Sequence, residues 1–146
     1  IEAGSTAVFL CAEAFREGDD PVRWMPLSPK GAVVGLASWL YHKDEWAKAH
    51  PIFEGLPAGG LMDYEVYAEL IPDVGFNGQP LPTEAVAGGC NASQDYSSGL
   101  FVAVYPLGKG RVILNSLRVR ETLGGEPVAE RLLRNMLRYA AGKTGE

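Results

Sequence analysis

The chain has 146 residues, 47% hydrophobic and 21% charged, and its thirteen Lys and Arg against eighteen Asp and Glu leave a formal charge of -5. That length suits one domain, whose core buries roughly 70% of the surface exposed by the unfolded chain, and that composition excludes a disordered segment. The acidic balance speaks against nucleic acid or anionic lipid as a partner, and the absence of any apolar run near the ~20 residues of a membrane span speaks against a membrane partner.

Ile1-Glu2-Ala3-Gly4 has neither the basic nor the apolar region of a signal peptide, and a strand-like run follows after six residues. The chain therefore reads as a piece of a longer protein. Ala7 to Cys11 is a continuous apolar run, expected as a buried, internal strand. Asp19-Asp20-Pro21 and Pro26 to Gly31 are turn punctuation, holding Trp24 and Met25 in a loop that must bury something. Ala32 to Leu36 reads as a second strand.

Lys43 to Ala49 mixes charge with Trp46 and stops before Pro51, which predicts a short helix. Tyr64 to Ile71 alternates, with Tyr64, Val66, Ala68 and Leu70 on one side, and predicts a half-exposed strand ended by Pro72. Glu84 to Cys90 reads as a further strand. Leu100 to Tyr105 and Arg111 to Leu117 form a hairpin through Pro106-Leu107-Gly108-Lys109-Gly110, whose glycines permit the positive φ of a tight turn.

Pro127 stands where a helix favours proline at its first position, and Val128, Leu132, Leu133, Met136, Leu137 and Ala140 make an apolar stripe at helical spacing. Gly142 ends that helix. Arg131, Arg134, Arg138 and Lys143 read as its solvated face. Strands combined with a docked terminal helix predict a layered α/β domain with a mixed sheet.

No complete catalytic constellation is visible. A cysteine nucleophile needs a base beside it and a sharp turn after a strand. Gly88-Gly89-Cys90-Asn91-Ala92 is the one candidate elbow, but both histidines, His42 and His50, precede it. Cys11, inside an apolar run, reads as a core thiol. Neither cysteines nor histidines have the spacing of a metal site, and no cofactor is expected. Glu13, Glu65 and Glu69 could pair for glycoside hydrolysis only if the fold brings two of them together. Gly108-Lys109-Gly110 joins two strands rather than opening a helix, so it is a turn and not a phosphate cradle. Asn91-Ala92-Ser93 matches the short glycosylation pattern. Aromatic faces bind the apolar faces of sugar rings, which makes Trp39, Trp46 and Tyr64 candidate sugar or partner contacts.

Three segments carry a family resemblance: His50-Pro51-Ile52-Phe53-Glu54-Gly55-Leu56-Pro57; Gly59 to Tyr64; and Ser98 to Tyr105 followed by Gly108-Lys109-Gly110-Arg111 and Asn115-Ser116-Leu117-Arg118. In this order, over about residues 24–141, they resemble the C-terminal accessory region of bacterial glycoside hydrolases similar to family 2 β-galactosidases. That region looks like a class I glutamine amidotransferase-like, flavodoxin-type domain without glutaminase machinery. The resemblance implies a non-catalytic accessory domain, structural or sugar-contacting, whose partner is the parent chain's catalytic domain or carbohydrate, in an exported enzyme. It transfers no catalytic residue. The scarcity of helices before residue 127 implies a truncated version of that fold. Two further readings remain: a free-standing carbohydrate-binding module, and a degenerate cysteine-dependent amidotransferase-like hydrolase.

Overall fold

The computed structural model describes residue 1 and residues 3–36, 44–92 and 96–142. Its strands are β1 (Thr6–Phe9), β2 (Ala32–Gly35), β3 (Asp44–Ala47), β4 (Gly60–Leu61), β5 (Val74–Asn77), β6 (Glu84–Ala92), β7 (Tyr96–Leu107) and β8 (Gly110–Asn115). The helices are few: single turns α1 (Tyr64–Tyr67) and α2 (Val119–Thr122), the longer α3 (Pro127–Ala140), and 3-10 turns at Ala12–Phe15 and Pro51–Phe53. The result is a mixed α/β fold on a mostly open sheet. None of these helices is long and apolar enough to cross a membrane.

The strands run β1-β8-β7-β6-β3-β4, and β5 joins β2 to β7. Among the described residues only β1 and β8 pair in parallel; the other pairings are antiparallel. The hairpin between β7 and β8 is tighter than the sequence suggests, because pairing continues through Leu107↔Gly110 and leaves only Gly108 and Lys109 to turn. Gly108, with φ 59°, takes the left-handed conformation that this turn requires.

Both faces of the sheet are covered, which explains why Phe101 to Tyr105 and Val112 to Leu114 are apolar without alternation. On one face Val86, Phe101, Val104 and Ile113 pack under α3 and α1, with Leu132, Met136, Tyr67 and Leu70. On the other, Ala103, Tyr105, Val112 and Leu114 meet Phe15 and Leu27 from the irregular 11–31 segment. Phe15 is the hub of that second layer: its ring lies 4.8 Å from Phe9, 5.2 Å from Trp24 and 6.0 Å from Phe76. Burying one such ring stabilises by roughly 1.5–3 kcal/mol, enough to hold a segment that makes few backbone ladder bonds. The loop around Trp24 and Met25 buries apolar surface through Val22 and Leu27 and partly through Met25, while Trp24 itself stays 48% exposed.

Four expectations are corrected. The apolar run at the N-terminus forms β1 at the sheet's edge, not an internal strand; it is apolar throughout because Val8 packs toward the helix-side core and Phe9 toward the other. The predicted helix at 43–49 is instead β3, paired with β6 on one side and β4 on the other. Lys43 lies outside the described residues. The alternating Tyr64 to Ile71 is helical at its start, because the Asp63 carboxylate accepts from Glu65 N–H at 2.9 Å and caps the turn. Its buried residues, Tyr67, Leu70 and Ile71, follow helical spacing.

The fourth correction concerns the stripe on α3. Leu132 and Met136 are buried as expected and Val128, Leu133 and Ala140 pack partly against the same core, but Leu137 is 54% exposed, and Ala129, Asn135 and Tyr139 complete the buried face. A polar residue sits at the centre of the docked face because it has work there. Asn135 Nδ2 donates to the carbonyls of Ile52 and Glu54, both at 3.0 Å, and so ties the 3-10 turn to the helix. Asn135→Leu should therefore cost about 1–2 kcal/mol in urea unfolding, since it takes this donor from the Ile52 carbonyl, while the Glu54 carbonyl keeps Arg131 Nε at 3.1 Å. Leu137→Ser should change stability by less than about 0.5 kcal/mol.

Candidate functional site

Two arrangements of side chains could carry chemistry, one at each end of β6. At its first residue, Glu84 meets His50, Tyr139 and Arg111. His50 caps the 3-10 turn, accepting at Nδ1 from Ile52 N–H at 3.2 Å. The proton therefore sits on Nε2, which donates to Glu84 Oε2 at 2.7 Å. The Tyr139 hydroxyl donates to the other carboxylate oxygen. Arg111 donates to the Tyr139 hydroxyl at 3.1 Å and to the Tyr139 carbonyl at 3.3 Å, with its guanidinium 4.8 Å from the ring centroid.

This cluster joins His50 of the first resembling segment and Arg111 of the last to the end of α3. Its chemistry is that of a clamp. Both ring nitrogens of His50 are occupied, so neither can take a proton from a substrate without dismantling the turn. Burial alone would raise the Glu84 pKa, but the bonds from Tyr139 and His50 and the charge of Arg111 outweigh it and hold the carboxyl below its ordinary range. Burial, aided by Glu84, pushes the Tyr139 phenol up to about 12.

Beyond the other end of the cluster, β6 carries Gly88, Gly89 and Cys90. Register places Trp46, Gly88, Leu100 and Phe76 in one row across β3, β6, β7 and β5, and Asp44, Cys90 and Ser98 in the next. Paired residues project to the same face, so this row of side chains stands on the face opposite α3. The Trp46 indole lies over Gly88: a Cβ there would come within 2.7 Å of Trp46 Cζ2. Beside it opens a cleft of about 420 Å³, walled by Trp46 and Leu100 and by the loop Asn77 to Pro82, with Cys90 and Ser98 in its lining. That volume falls within the ~300–1,000 Å³ of small-ligand sites. Lys48 Nζ stands 5.9 Å from the Trp46 ring.

The candidate residues separate. Trp46, half-buried, lines the cleft. Tyr64, 68% exposed at the start of α1, does not. Trp39 lies outside the described residues, as does His42. The Gly88 to Ala92 segment is not an elbow, since it lies inside a strand paired on both edges. Glu84, which holds His50, is six residues from Cys90 along β6, about 20 Å at the rise of a strand. Cys11 is buried, and burial raises its pKa despite the Ala14 N–H and the charge of Arg120, so it stays a thiol. Glu13 belongs to the turn whose Ala12 and Phe15 pack on the 11–31 side of the sheet, whereas Glu65 belongs to α1 on the helix side, so these carboxylates do not pair. Asn91 is buried and its Nδ2 donates to the Leu36 carbonyl at 3.1 Å, which removes it as a glycosylation acceptor. Among the described residues no group of three His, Cys, Asp or Glu could hold a metal ion.

The Glu84 cluster, by contrast, escaped the reading of the sequence. Its four members are separated by 27 to 34 residues, and no spacing rule links them. The Asn77 to Pro82 loop was legible as a loop, but nothing in it signalled a cleft wall.

Linkage gives the cluster a pH signature. A carboxyl with a lowered folded pKa adds stability above its unfolded value of 4.5, and that contribution is lost as pH falls through the folded value. A phenol raised to about 12 adds stability below pH 10 that is lost between 10 and 12. Tyr67 and Tyr105, both raised to about 12 by burial, act in the same alkaline window. Melting temperature followed against pH should therefore fall below about pH 4.5 and above 10; Glu84→Gln should flatten the acid limb, and Tyr139→Phe should soften the alkaline one. The chain matches no model of a known protein family and no curated protein.

Proposed function

We propose that this chain is a non-catalytic accessory domain of a carbohydrate-active enzyme, similar to the amidotransferase-like, flavodoxin-type region of bacterial glycoside hydrolases, and that it touches sugar through Trp46. Its partners on this reading are the parent chain's catalytic domain and carbohydrate, in an exported protein.

The observation that carries the proposal is the Trp46 indole, laid over Gly88 at the wall of an open cleft. A partly exposed indole at a cleft wall suits the apolar face of a pyranose ring. Among the described residues the candidate reactive groups, meanwhile, are occupied or apart. His50 serves Ile52 and Glu84, Cys11 is buried, and Cys90 lies in a strand distant from His50. The flavodoxin-type reading draws support from the parallel β1–β8 pair and from α3, which follows β8 and packs with Val8 of β1 in one core. The resembling segments support it as well, because His50, Arg111 and Asn115 all serve contacts between elements. Asn115 Nδ2 donates to Leu10 and Leu117 carbonyls at 3.0 and 2.9 Å.

Affinity electrophoresis through neutral polysaccharides tests the sugar contact. Galactan, xylan or β-glucan should retard the 146-residue chain, and Trp46→Ala should restore free mobility. Incubation with a panel of chromogenic glycosides and with glutamine should release no product. Turnover abolished by Cys90→Ala, Glu65→Gln or Glu69→Gln would replace the accessory reading with an enzyme.

A further inference from the structure

The cleft beside Trp46 is long rather than round. Its outer wall, the loop from Asn77 to Pro82, is tied to β7 at both ends: Asn77 Nδ2 donates to the Ser98 carbonyl at 2.6 Å, and Thr83 Oγ1, just past the loop, donates to the Val104 carbonyl at 2.9 Å. The loop therefore follows the strand lengthwise, and the lining extends from Ser98 and Leu100 to Tyr105. Leu100 and Tyr105, five residues apart, would face opposite ways in a regular strand. Phe101 is an extra residue between the pairs Leu100↔Gly88 and Val102↔Ala87, and it turns both side chains to the face opposite α3. Five residues of strand set about 15 Å between these two positions, and Trp46 stands in the Leu100 row.

The far end is polar. Tyr105 is 1% exposed, yet it lines the cleft, and its hydroxyl makes no hydrogen bond among the described residues. Burial pushes this phenol up to about 12, so it stays protonated and keeps a proton to donate. A hydroxyl so placed gains most from an acceptor that enters the cleft. We infer that the cleft is a groove for linked glycosyl units rather than for a single one, with one ring stacked on Trp46 and an oxygen of a further unit accepting from the Tyr105 hydroxyl. The separation of the two anchors carries the inference, because one pyranose ring is too short to touch both. It rests on the carbohydrate reading above and adds the length of the ligand and its second anchor.

β-1,4-linked gluco- and galacto-oligosaccharides of one to four units, titrated into the 146-residue chain and followed by ligand-observed NMR, test this. Affinity in the series that binds should rise by at least about tenfold from one unit to four, and Tyr105→Phe should remove about tenfold from the tetrasaccharide while leaving the monosaccharide unchanged. The same variant should keep its melting temperature, since the hydroxyl it loses has no partner inside the fold. Cys90 lines the cleft and is exposed, whereas Cys11 is buried, so the tetrasaccharide should also slow maleimide labelling of Cys90. Equal affinity for one unit and four overturns the groove and leaves the sugar reading standing. A Tyr105→Phe chain that binds the tetrasaccharide as tightly as before, or that melts several degrees lower, overturns the second anchor. Binding that leaves Cys90 labelling unslowed overturns the placement in this cleft, and no binding in either series overturns the sugar reading as well.

Discussion

Where β8 ends at Asn115, β5 takes over the same edge of β7, and the rest of the architecture depends on that exchange. The two strands can meet there only because glycine faces glycine. A Cβ on Gly75 would lie 2.9 Å from Gly99 Cα, and one on Gly99 would lie 2.8 Å from Gly75 Cα. Ser116 seals the junction: its N–H donates to the Phe101 carbonyl at 2.8 Å and its hydroxyl to the Val74 carbonyl at 3.1 Å. The exchange lets β7 keep both edges occupied along most of its length, so both faces can be buried and both cores filled.

The same bare backbone makes the cleft. With no side chain at Gly88, Trp46 can settle onto the sheet, and with none at Gly99 the β5 loop can stand close beside it. Aromatic area is thereby held in place while only partly buried. This is a cheap way to present a rigid apolar face, because the ring has little freedom left to lose when something stacks on it.

Polar chemistry in this fold goes mostly to joining elements. Asn135 holds the 3-10 turn to α3, Asn115 bridges the ends of β1 and β8, and the His50, Glu84, Tyr139 and Arg111 cluster fastens the far end of α3 to the sheet. In each case side-chain donors satisfy groups at the junction of two elements, where leaving one unpaired would cost about 1–3 kcal/mol; the two asparagines do this with Nδ2 alone, their Oδ1 atoms being buried without a partner among the described residues. Groups so engaged act structurally: both ring nitrogens of His50 are bonded, and the Glu84 carboxylate holds a donor on each oxygen.

Local signals settled some elements and could not settle others. The hairpin from Leu100 to Leu117 and the helix from Pro127 to Gly142 were legible because turn glycines, an N-terminal proline and long apolar periodicity all act within a few residues of one another. Lys43 to Ala49 misled because a four-residue strand is made by its neighbours; nothing inside Asp44–Ala47 announces Gly88 or Leu61 across the ladder. Tyr64 to Ile71 misled because alternation and helical spacing coincide over so short a run, and the Asp63 cap was the deciding signal. Trp46 was legible as an aromatic candidate but not as a cleft wall, since its setting is written in Gly88, Leu100 and Asn77, residues 31 to 54 positions away. Chain-local chemistry specifies turns, caps and periodicity; which faces meet, and which polar groups are consumed in the meeting, depends on contacts between distant residues that only the folded chain brings together.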